Sequence, residues 1–195
     1  MTQRIARNVL PPLIALLALA TSCGSGESGA PKLQTSEAQG VVAFKDRVSE
    51  YVALHEKLEA TLPKLPDKAT PEQVDYNQRA LGTLIRSERR DAKPGDFFTP
   101  AIQAMVKRVL ADVLSGPGGG TVKASIMDEN PGVPQLVVNE RYPSSIPLST
   151  MPPQLLDHLP PLQGELEYRF VGPRFVLVDT EADLILDFTD PVLTP

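Results

Sequence analysis

Chemistry in a protein needs groups that can hold a proton, a metal or a nucleophile in convergent patterns. The densest such cluster here lies near the C-terminus: Asp179-x-Glu181-x-Asp183, followed by Asp187 and Asp190. Acids at these intervals match positions 1, 3, 5, 9 and 12 of a calcium-loop template. That template also needs a glycine at its sixth position, where this chain has Leu184, and β-forming residues fill the interval. A hairpin turn accounts for the same acids without an ion. Asp179, Glu181 and Asp183 are therefore weak metal candidates, and no cofactor is expected.

The remaining reactive side chains are scattered. His55 is the one polar member of an apolar helical stripe, which suits a packed histidine with a satisfied hydrogen bond, a pH-sensitive group or a ligand. His158 lies in a proline-rich stretch and reads as a surface or partly buried residue. Arg86, Arg89 and Arg90, with Lys93 nearby, form a basic cluster tempered by Glu88 and Asp91. It reads as a solvated helix end, where cations complement the macrodipole, or as a docking patch for an acidic partner. Cys23 is the only cysteine, so no intrachain disulfide can form.

Two glycine-rich motifs fail their structural tests. Gly24-Ser25-Gly26-Glu27-Ser28-Gly29 has the letters of a dinucleotide fingerprint, but Ala30-Pro31 follows where a helix should open. Gly116–Gly120 follows a helix instead of a strand and lacks the Lys-Ser/Thr of a phosphate loop. There is no G-x-S-x-G, H-E-x-x-H or C-x-x-C. Nothing in these motifs points to an enzyme.

Composition narrows the class further. The chain is 42% hydrophobic and 22% charged, which suits a folded domain, and its 20 prolines are about twice the usual share. With four Tyr, six Phe and no Trp, its core must be mostly aliphatic. A net charge of −5 argues against a nucleic-acid partner and against purely electrostatic adhesion to anionic lipid.

The N-terminus carries the clearest message. Arg4 and Arg7 precede the apolar run Val9–Ala20, which is too short to span about 30 Å of hydrocarbon and is interrupted by Pro11-Pro12. The run ends in Ala20-Thr21-Ser22-Cys23. This resembles a bacterial lipoprotein signal with its lipobox, although Ala20 stands where that family most often has Leu. The resemblance implies removal of residues 1–22 and acylation of Cys23, with palmitate as a natural label. An ordinary secretory cut after Ala20 or Ser22 is the alternative. Loss of Arg4 and Arg7 would lower the net charge to −7. Residues 24–36, rich in Gly and Ser, read as a flexible tether. Gly24 is not the Asp that often retains such proteins in an inner membrane. The resemblance therefore implies the periplasmic face of an outer membrane in a diderm, or otherwise the outer face of the plasma membrane.

The elements that must position the candidate residues follow from periodicity. Val41, Phe44, Val48, Tyr51, His55, Leu58 and Leu62 recur at spacings of three and four, predicting a helix over Glu37–Leu62. Thr70-Pro71-Glu72-Gln73 and Thr99-Pro100 announce two more helices, the first with a capping box. Alternation predicts strands at Thr121–Met127 and Leu136–Tyr142, and a short helix is expected near Pro153–Leu159. Residues 165–188 read as a three-stranded meander turning at Gly172-Pro173 and Asp179–Asp183.

The expected fold class is α+β. A helical hairpin or three-helix portion (37–116) precedes a proline-rich connector and β portion (117–195), both in one domain. The expected function is a non-catalytic, membrane-anchored envelope lipoprotein with a binding, interaction or structural role. Its partners would be the membrane, through the anchor, and an envelope protein. The alternatives are an envelope hydrolase using carboxylates or His158, and a small-ligand-binding lipoprotein.

Overall fold

The computed structural model describes residues 29–129, 135–146 and 149–193, with side chains from Ser36 onward. The signal, the lipobox and Cys23 lie outside these residues, as does the expected turn at 130–134. Among the described residues, five helices precede three strands: α1 (Gly29–Glu59), α2 (Pro71–Glu88), α3 (Pro100–Ser115), α4 (Gly119–Glu129), α5 (Pro153–Leu156), β1 (Leu166–Val171), β2 (Arg174–Asp179) and β3 (Leu184–Phe188). The class is α+β.

The first helix buries the stripe its spacing dictates: Phe44, Val48, Tyr51 and His55 are all in the interior. It begins at Gly29, so the last part of the expected tether is helical, and Ala30-Pro31 lie inside a helix where none was expected. The capping box of α2 is formed in both directions, Gln73 N donating to Thr70 Oγ1 and Thr70 N to Gln73 Oε1. In α3 the corresponding Thr99 makes no side-chain cap, and Pro100 alone sets the start. Helices α2 and α3 both pack on α1.

The strand expected at Thr121–Met127 is instead helix α4, packed on α3. Val122 and Ile126 sit two apart from Ala124 but four apart from each other, so the same residues also share a helix face. Tertiary packing decides for that face, with Ile126 buried in the main core and Val122 and Met127 packed against it. The glycine run makes the tight reversal possible. Gly118 takes φ 80, and a Cβ on Gly119 would lie 2.1 Å from the Leu114 carbonyl oxygen.

The sheet has order β1-β2-β3, antiparallel throughout. Gly172, at φ 56, opens the two-residue turn between β1 and β2. One face of the sheet, carrying Leu166, Tyr168, Phe170, Phe175, Leu177, Leu184 and Leu186, joins the helices in a single core. The other face, with Val171, Val176, Val178 and Ile185, is covered by Leu136 and Tyr142.

Those covering residues belong to the second expected strand, Leu136–Tyr142, which does not form as one. The segment runs beside β3, with Asn139 N bonded to Ile185 O, Ile185 N to Glu140 O and Tyr142 N to Asp183 O. Asn139 at φ 64 breaks the extended run, leaving a single bridge between Arg141 and Leu184.

Asp187 ties the sheet to the helical half. It is fully buried, and its carboxylate accepts N–H bonds from Gly95, Phe97 and Phe98 in the α2–α3 loop and from Phe188. Burial raises its carboxyl above the usual range, and the backbone N–H groups pull the other way. Asp187→Ala strands these donors in the interior and should cost about 3–5 kcal/mol. A urea titration checks this: the midpoint should fall sharply, and an unchanged midpoint would contradict the tie.

Candidate functional site

The residues that could do chemistry meet where the last turns of α1 touch the β2–β3 turn. Tyr51 and His55 are four apart on α1 and so share one face. Asp179 ends β2, and its Oδ1 accepts the N–H groups of Glu181 (3.0 Å) and Ala182 (2.8 Å), folding the turn around itself. Its Oδ2 accepts the Tyr51 hydroxyl and His55 Nδ1, the latter at 2.7 Å. His55 Nε2 lies 3.0 Å from Glu181 Oε2. One carboxylate therefore gathers four donors, and one imidazole stands between two carboxylates.

A carboxylate at each ring nitrogen requires an N–H at each, so His55 is an imidazolium. Burial favours the neutral ring, but the hydrogen bonds and charges of Asp179, and then Glu181, outweigh it and raise the His55 pKa to about 9. Burial and the neighbouring Asp179 push the Tyr51 hydroxyl up, so it remains a donor. The Arg89 guanidinium lies over the Tyr51 ring at 5.2 Å and the Phe97 ring at 5.3 Å. Its Nη1 donates to Asn139 Oδ1, and Asn139 Nδ2 donates back to the Arg89 carbonyl. Burial lowers the Arg89 pKa.

The sequence candidates sort themselves against this geometry. Asp179, Glu181 and His55 come together. Asp183 does not join them, because it ion-pairs with Arg141, which also reaches Asp75. Asp187 is spent on the α2–α3 loop, and Asp190 is exposed. The calcium-loop spacing thus distributes its acids among separate partners. His158 is exposed, its Nδ1 against the Gln154 carbonyl at 3.0 Å. The basic cluster also divides: Arg89 turns inward, Arg86 pairs with Glu140 at 3.6 Å on the surface, and Arg90 is exposed.

Tyr51 went unmarked in the sequence because its type and position fit an ordinary core stripe. The available signal was its four-residue spacing from the one polar member of that stripe. For a metal, the suitable set is His55, Glu59 and Glu181, whose ligand atoms lie within 4.8 Å of one another. They border a recess of about 140 Å³ that Glu56 and Glu165 also line. A cation there would have to replace the Nε2 proton that now bridges to Glu181. In the arrangement observed, the Tyr51 hydroxyl proton and both ring protons of His55 have carboxylate acceptors, and Glu181 stays partly exposed at the recess.

Comparison with family models, with curated proteins and with solved structures finds no match.

The clamp predicts a pH dependence with a definite sign. The folded His55 pKa lies above the unfolded value near 6.5, so its stabilisation is complete below about pH 6.5. It is lost as pH rises through about 9. Thermal melts of the wild type should show about 3 kcal/mol of stability disappearing across that window. In His55→Gln the same window should be nearly flat. A His55→Gln profile parallel to the wild type would exclude the clamp.

Proposed function

We propose that this protein is an exported, lipid-anchored and non-catalytic binding protein of the bacterial cell envelope. The observation that carries the non-catalytic part is the closure of the acid–base groups on one another. Tyr51 and His55 are buried donors to a buried Asp179, and the second imidazole nitrogen is taken by Glu181. The exposed His158, just past α5, has the backbone carbonyl of Gln154 as its hydrogen-bond partner among the described residues. These groups hold the fold together and do not present a poised base to a substrate.

The anchoring part rests on the resemblance of residues 1–23 to a lipoprotein signal. It fits a folded body in which no helix, among the described residues, is long and apolar enough to cross a membrane. Acylated Cys23 would supply the membrane attachment that an acidic surface does not favour. Gly24 favours the outer-membrane periplasmic face in a diderm. A cleft beside the sheet edge, described below, supports binding as the role of the anchored body.

Metabolic labelling with palmitate tests the anchor. Wild-type chain should take up label and sediment with membranes, and Cys23→Ser should do neither. A Cys23→Ser chain that stays labelled would mean that Cys23 is not the acyl acceptor.

A further inference from the structure

A cleft of about 580 Å³ opens along β1, between that strand and the segment around α5. This is within the size range of small-molecule sites. Met151, Leu156, Pro160 and Leu162 line one side, and Tyr168 and Arg169 line the strand side. Burial here has an uneven chemistry. Most of the wall is apolar, yet Arg169 is only 9% exposed, and a guanidinium cannot shed its charge.

Its known partners do not use it fully. Arg169 Nη2 donates to Glu167 at 2.7 Å, and the guanidinium carbon lies 5.8 Å from the centre of the Tyr142 ring. Arg169 Nε is buried and has no acceptor among the described residues. A buried donor without an acceptor is costly, and the penalty is larger on a charged group. Glu167, which meets the cation, is 55% exposed at its side chain and supplies only a surface contact. The unsatisfied donor calls for an anionic oxygen, and the apolar wall calls for a hydrocarbon body.

We propose that the cleft binds a small amphiphile carrying one carboxylate. Its head takes the Arg169 Nε–H, and its alkyl chain lies against Met151, Leu156, Pro160 and Leu162. The guanidinium fork offers Nε–H beside an Nη–H, the geometry that a carboxylate accepts with both oxygens. This assignment rests on the reading of the chain as a binding protein and names the ligand class for it.

Calorimetry on the full chain carrying Cys23→Ser, which has no acyl chain of its own to compete, tests the assignment. Decanoate should bind saturably at one site, about 10- to 100-fold more tightly than 1-decanol or decyltrimethylammonium. Arg169→Gln should remove that preference and leave decanol binding unchanged. Leu156 is 46% exposed at the cleft, so Leu156→Glu leaves the core alone and should weaken decanoate by a similar factor. It keeps the test valid if Arg169→Gln fails to fold. Equal binding of all three amphiphiles, no decanoate binding, or full decanoate affinity in Leu156→Glu would overturn the proposal. Absent decanoate binding alongside intact palmitate labelling of the wild type would remove the ligand and leave the anchored binding protein standing.

Discussion

A single buried carboxylate, Asp179, holds the two halves of this chain in register. It is fully buried, and an uncompensated ion there would be expensive. Four donors compensate it: Tyr51 and His55 from the helical half, and the N–H groups of Glu181 and Ala182 from its own turn. The apolar interface between helices and sheet drives association but is not directional. Hydrogen bonds to a buried ion are directional, so α1 cannot slide along the hairpin without stranding a charge. Asp187 repeats the device at the other junction, fastening β3 to the loop between α2 and α3. Both anchors are sheet carboxylates that collect donors from the helical half.

This explains which parts of the structure were legible in the sequence. The stripe of α1, the Thr70–Gln73 capping box and the alternation of residues 165–188 each combine local propensity with burial, and all three were readable. Val122, Ala124 and Ile126 were not, because a spacing of two and four fits a strand and one face of a helix alike; contact with α3 decided it. Leu136–Tyr142 has strand-like residues, but Asn139 at φ 64 interrupts it, so it covers the sheet without extending it regularly.

The site was legible as fragments. His55 stood out as the polar member of an apolar stripe, and Asp179-x-Glu181 stood out as paired acids in a turn. Nothing local says that residues 124 positions apart in sequence will meet. Arg89 shows the converse case, since its neighbours Arg86 and Arg90 suggest a solvated cluster while its own guanidinium stacks on Tyr51 and Phe97. The functional proposal accordingly divides in two. The proposed anchor comes from the resemblance of the N-terminus, and the proposed non-catalytic binding body rests on the occupied His55–Asp179 pair and on the cleft along β1.

The central claim is that His55 is an imidazolium clamped between Asp179 and Glu181. Nitrogen-15 NMR of the His55 ring in the full chain, followed across pH, reads this directly. The clamp predicts N–H at both ring nitrogens at neutral pH and titration near 9. A ring that loses its proton near the ordinary value of about 6.5, with one bare nitrogen at neutral pH, would contradict it.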